Sequence, residues 1–202
     1  LPLTPLFLKV ITSILGYSIK SLHFASALLG AITLAITCLI SKEFGGKKLA
    51  IFFTGLFTLL SGFLIFGTIF TYDSLDILIS VFAIYLLVRL FKNDEPKLLI
   101  LLGINLGLGL FNKLYILFLG FSIFACLWLG PQRHFYKSFW IWLSGTIALI
   151  FLIPWIIWQI EQDWYYVGVA ASYSGGLAYV ASFPEYLWGQ ILPNNIFNLP
   201  VW

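Results

Sequence analysis

The chain has 202 residues, 61% hydrophobic and only 9% charged, with 20 Phe, 8 Trp and 10 Tyr. Its mean hydropathy of +1.00 excludes a soluble domain of this size and points to a polytopic helical membrane protein, an all-α transmembrane bundle. The formal charge of +3 is small, and no basic stripe for nucleic acid, glycine-rich phosphate loop, zinc spacing or Ser-His-Asp arrangement stands out.

No cleavable signal peptide is read in residues 1–20, which lack a charged start followed by an apolar core. The chain contains no Met and runs from Leu1 to Val201-Trp202 within an apolar run, so it reads as a fragment of a single transmembrane domain covering 1–202. Residues 2–15 place Leu3, Leu6, Phe7, Val10, Ile11, Ile14 and Leu15 at helical spacing, with Thr4, Lys9, Thr12 and Ser13 opposite. That pattern predicts an amphipathic helix lying along the membrane interface.

Six spans follow, at about 22–40, 49–70, 73–90, 98–111, 114–129 and 138–160, with a seventh beginning at Glu185. The fourth has about 14 residues and reaches only about 21 Å, short of a roughly 30 Å hydrocarbon core. Gly103 and Gly107 give it a small-xxx-small face. The short fourth and fifth spans are expected to meet at Lys113 below the surface, pointing it into a shared cavity. Residues 161–183 read as an outer loop or surface helix, whose Trp164, Tyr165 and Tyr166 suit an interfacial aromatic belt. Cys38 and Cys126 fall inside apolar runs and read as small core residues.

Loops 41–48, 89–97 and 130–137 hold 8 of the 11 cations, which puts them inside by the positive-inside rule. The amphipathic helix, Asp73, Lys113 and residues 161–183 then share the extracytoplasmic face.

The stretch Thr71-Tyr72-Asp73-Ser74-Leu75-Asp76 sets two carboxylates between apolar runs. Three residues apart on a helix, they lie about 60° apart in azimuth and share a face. An ionised Asp at mid-bilayer costs roughly 2.5–3.5 kcal/mol on insertion scales, so the pair is expected at a watered membrane edge, lining the mouth of an active site. Asp73 reads either as a helix N-cap favoured by the dipole or as a general base, or orienter of an acceptor or metal, at a watered membrane edge. Asp76, one turn deeper or more structural, reads as a polar residue of the helix start or as a second catalytic carboxylate. Lys113 either snorkels to the interface or pairs with a phosphate or with Asp73. Trp158, Trp164 and Tyr165 read as interface anchors or as sugar-stacking platforms. His23 and His134 fall at opposite faces and read as solvated; Glu161 and Asp163 read as loop charges.

Six features in order resemble a known family: Leu3-Thr4-Pro5-Leu6; Ser41-Lys42-Glu43-Phe44-Gly45; Thr71 to Asp76; Leu86-x-x-Arg89; Gly107-Leu108-Gly109-Leu110-Phe111-Asn112-Lys113; and Ile153-Pro154-Trp155-x-x-Trp158-Gln159. The chain resembles a C-type glycosyltransferase of the dolichyl-phosphate-mannose protein mannosyltransferase / aminoarabinose transferase superfamily, family 39-like. The resemblance implies transfer of a sugar from a polyprenyl-phosphate donor to an acceptor on the extracytoplasmic side of a bacterial-type plasma membrane, with inversion at the anomeric carbon. It matches Asp73 to the second outer acidic position and Lys113 to the lysine that ends the short helix. Thr4 stands where members often carry His or Lys. The family's principal acid belongs to an Asp-Glu pair upstream of Pro5, outside these residues, so the fragment as given is expected to be inactive. A divalent metal serves some relatives, but no ligand cluster is visible in this sequence. The rival readings are a transporter or lipid flippase and a non-catalytic membrane scaffold.

Overall fold

The computed structural model describes residues 2–61, 69–176, 182–185 and 188. These are helical, with no strand among the described residues. In chain order the helices are α1 (Leu3–Leu15), α2 (Ile19–Glu43), α3 (Lys48–Leu60), α4 (Tyr72–Asn93), α5 (Lys97–Asn112), α6 (Ile116–Leu129), a 3-10 helix (Pro131–Lys137), α7 (Phe139–Ile150), α8 (Ile153–Glu161) and α9 (Tyr165–Gly176).

Three units are long and apolar enough to cross a membrane: α2, α4 and the α7–α8 pair, Phe139–Glu161. Counting the pair of α6 and the 3-10 helix, bent by 106°, makes four. The sequence led us to expect six full crossings, but α3 and α5 are only 13 and 16 residues long. At about 1.5 Å per residue neither fills a roughly 30 Å core when straight. The last part of the expected second span and nearly all of the seventh fall outside the described residues. The sixth is broken at 151–152, because Pro154 has no N–H to donate and its ring crowds the carbonyl one turn earlier.

α5 is the centre of the bundle. A Cβ on Gly103 would collide with the Ser144 carbonyl of α7, and one on Gly107 with the Phe151 ring, so both glycines permit close helix approach. On its other side, buried Asn105 donates from Nδ2 to the Ile79 carbonyl of α4 at 2.8 Å. α2 packs on α4, and α3 on α2. One core cluster gathers Leu86, Leu90, Leu99, Leu127 and Phe135 near the charged loops. A smaller one gathers Ile79, Leu110, Ile116, Ala148 and Leu152 toward the other end.

The charged loops meet at one end. Lys92 pairs with Glu43 at 2.8 Å, and His134 with Asp94 at 3.1 Å. From there α4 runs 22 residues, about 33 Å, to Tyr72 at the opposite end. α1 is helical as its periodicity predicts, but it is not buried along its apolar stripe. Leu6, Val10 and Ile14 are 49–73% exposed, while Leu3, Thr4, Phe7 and Ile11 turn toward the protein. Exposed aliphatic side chains along an amphipathic helix suit a bilayer surface.

Candidate active site

The site is built where α1, α4, α5 and α8 come together. Thr71 is the N-cap of α4, with an extended backbone. Asp73 therefore sits inside the first turn, and the N-cap reading of Asp73 does not hold. Its carboxylate is free to turn sideways, and Oδ1 accepts a hydrogen bond from Lys113 Nζ at 2.8 Å. Lys113 stands at the break between α5 and α6, its backbone extended. The break lets its side chain leave the helix axis and reach α4. The ammonium also lies 5.0 Å from the Tyr72 ring centroid and 5.8 Å from that of Tyr115, within cation–π range. The Asp73 carboxylate raises the Lys113 pKa above the ordinary 10.5, chiefly through this hydrogen bond and against the cost of burial. Lys113 is thus a fixed cation throughout the neutral range. The two side chains remain 37% and 30% exposed, and exposed pairs of this kind contribute only about 0–1 kcal/mol to stability.

Asp76 lies one turn deeper and is buried, and its Oδ1 has no hydrogen-bond partner. Beside Lys113, Asn112 is also buried. Its Oδ1 accepts from Thr4 Oγ1 at 2.6 Å, and its Nδ2 donates to the Tyr72 carbonyl at 2.8 Å.

A cavity of about 750 Å³ opens at this point, lined by Pro2, Tyr72, Asn112, Lys113, Leu114, Pro154, Trp155, Trp158 and Tyr166. It falls within the range of small-molecule sites. One wall is aromatic, with Trp155 and Tyr166 edge to face at 6.2 Å. Gln159 holds that wall in place: fully buried, it accepts the Tyr166 N–H on Oε1 at 3.4 Å and the Trp164 N–H on its carbonyl at 2.8 Å. Asp163 and Trp164 have φ of 48° and 59°, left-handed values that turn the chain sharply from α8 into α9 and bring Tyr166 back over Trp155.

Of the residues singled out from sequence, Lys113 and Trp158 line this cavity, and Asp73 is held against Lys113 outside the lining. Trp164 and Tyr165 sit at the turn, half-exposed or more, outside the lining. Glu161 and Asp163 are exposed. His23 is exposed, and His134 is engaged with Asp94 in the charged loops. Cys38 and Cys126 are free thiols. Sequence reasoning missed Tyr72, Asn112, Trp155 and Tyr166. Trp155 was within reach, since it lies three residues before Trp158 on a helix and shares its side. Tyr166 depends on the turn between α8 and α9, which carries no glycine to announce it.

No group of three or more His, Cys, Asp or Glu gathers among the described residues.

The family described as dolichyl-phosphate-mannose-protein mannosyltransferase matches residues 2–158. The chain belongs to this family. It is therefore a mannosyltransferase-like membrane glycosyltransferase in the general sense, embedded by its apolar helices. The match takes in α1, Asp73, Lys113, Trp155 and Trp158, and ends before Tyr166. No curated protein and no solved structure matches the chain.

Proposed function

We propose that this cavity takes a sugar carried on a polyprenyl phosphate and transfers it to an acceptor hydroxyl at the extracytoplasmic face of the membrane. The observation that carries the reading is Lys113, which lines an aromatic-walled cavity while its ammonium is paired with Asp73. Lys113 has the charge to hold the donor phosphate, and Trp155, Trp158 and Tyr166 offer faces and edges for a sugar ring. The Asp73 carboxylate would orient the acceptor hydroxyl and take its proton. The acceptor oxygen then bonds to the anomeric carbon as the carbon–oxygen bond to phosphate breaks. The polyprenyl phosphate leaves with the electron pair, and the anomeric configuration inverts.

A lipid-linked donor is supported by a second cavity of about 420 Å³ between α5, α6 and α7. Its lining is almost wholly apolar, from Leu99, Leu127 and Ile141 at the charged-loop end to Leu110 and Ile116, close in sequence to Lys113. From Leu99 to Leu110 that is roughly 16 Å of helix, a hydrocarbon-lined path suited to a prenyl chain. The outer face is supported by the gathering of the basic loops at the other end of the bundle.

Asp73→Asn in the full-length protein tests the chemistry. Transfer of labelled sugar from a polyprenyl phosphate in membranes should fall by about 10²–10⁴-fold, with insertion and yield unchanged. Wild-type turnover in Asp73→Asn would leave the carboxylate a structural role only. The face is tested separately in a background lacking Cys38 and Cys126. A cysteine at Asp163 should react with an impermeant thiol reagent and one at Gly45 should be shielded; the reverse pattern would invert the protein.

A further inference from the structure

We propose that Asn112 is a positioning residue, clasping the interfacial helix α1 to the Asp73–Lys113 pair so that the membrane-lying helix and the reacting groups keep one geometry. The proposal rests on the function given above.

An amide buried in an apolar bundle is costly unless both its ends are used. Asn112 is 5% exposed and uses both, each on a different helix. Its oxygen accepts from Thr4 of α1, 108 positions away, at 2.6 Å. Its nitrogen donates at 2.8 Å to the Tyr72 carbonyl, the peptide group that leads into Asp73. The next residue, Lys113, grips the Asp73 carboxylate at 2.8 Å. Asn112, the last residue of α5, and Lys113, its C-cap, therefore fix the backbone and the side chain of the same α4 turn, and Asn112 ties that turn to α1. A leucine has the same branched outline but is bulkier and would make neither hydrogen bond.

Thr4 makes the connection specific. It is polar and faces inward on a helix whose Leu6, Val10 and Ile14 face outward. Pro2, two residues before Thr4, lines the cavity. The lipid surface sets α1 from outside, and Asn112 sets it from inside. Reacting groups displaced by about 1 Å lose on the order of 100-fold in rate, so slackening this clasp should act on turnover more than on donor binding.

The experiment compares Thr4→Val, Thr4→Ser and Asn112→Leu in the full-length enzyme reconstituted in lipid vesicles, with Asp73→Asn alongside. The donor probe is dolichyl phosphate mannose, or the undecaprenyl phosphate sugar that the wild type turns over. Thr4→Val and Asn112→Leu should lower kcat about tenfold or more, with KM for donor within about twofold. Hydrogen exchange of the α1 amides should quicken in both. Thr4→Ser keeps the hydroxyl and should restore wild-type kcat and exchange. Thr4→Val is the deciding variant should Asn112→Leu fail to fold. A wild-type kcat or wild-type α1 exchange in Thr4→Val overturns the proposal, as does a Thr4→Ser variant as impaired as Thr4→Val. Full turnover in Asp73→Asn alongside loss in Thr4→Val would overturn the assigned role of Asp73 while leaving the clasp standing.

Discussion

At the charged-loop end Lys92 meets Glu43, and at the cavity end Lys113 meets Asp73, each at 2.8 Å. The distances are identical and the surroundings are not. Lys92 is 54% exposed and ties the end of α4 to the end of α2 in water, where such a pair contributes little. Lys113 is flanked by the rings of Tyr72 and Tyr115 and opens onto a cavity with an aromatic wall. The packing differs in the same sense. Phe135, 2% exposed, closes the loop end over the larger core cluster, whereas the smaller cluster leaves room for the cavity. An ion pair's length therefore says little about its use; what the charges face says much more.

The sharpest way to break this comparison is to neutralise one carboxylate at each end. Asp73→Asn should reduce sugar transfer by about 10²–10⁴-fold. Glu43→Gln should leave transfer within about twofold and thermal stability nearly unchanged. Equal losses in the two variants, measured as initial rates in membranes, would remove the distinction.

A smaller effect concerns the helix that joins the two ends. Gly103→Ala forces a methyl into the Ser144 carbonyl and should cost about 1–3 kcal/mol, as overpacking does. Gly145 on α7 has nothing within 4 Å of a built Cβ, so Gly145→Ala should be neutral or stabilise by up to about 1 kcal/mol. Thermal unfolding in detergent distinguishes the two, and a neutral Gly103→Ala would mean that α5 and α7 are not in close contact.

The smallest effect is on pH dependence. The folded protein holds the Lys113 proton more tightly than the unfolded chain does, because its pKa is raised above 10.5. The stabilisation from the pair is therefore fully present below about pH 10.5 and is lost as pH rises through the folded value. The stability advantage of wild type over Lys113→Met should be flat through neutral pH and shrink only in that alkaline range. Exposure limits it to about 1 kcal/mol or less, and an advantage that shrank near neutrality would contradict the assigned cause.

Much of the architecture was legible in the sequence because a bilayer makes composition decisive. Apolar runs give helices, cations gather in loops, and an amphipathic stretch such as Leu3–Leu15 lies at an interface. The Gly103–Gly107 spacing announced a close helix contact, and the short apolar runs on either side of Lys113 announced a break there. The number of crossings was less legible: three or four units among the described residues are long and apolar enough to span, and hydropathy does not report how a short helix such as α5 tilts or ends.

The sequence by itself determined an all-α membrane protein with basic loops on one side and the Asp73/Asp76 turn at the start of a helix. Periodicity and charge are local properties, and they suffice for that. Only the tertiary structure decided that Asp73 is held by Lys113 rather than capping its own helix. It also brought Thr4 to Asn112 across 108 positions and turned Tyr166 back onto Trp155. In helices apolar on every side no hydrophobic stripe marks the face that meets a partner. Small residues and paired polar groups make that choice, and they act only once distant segments touch.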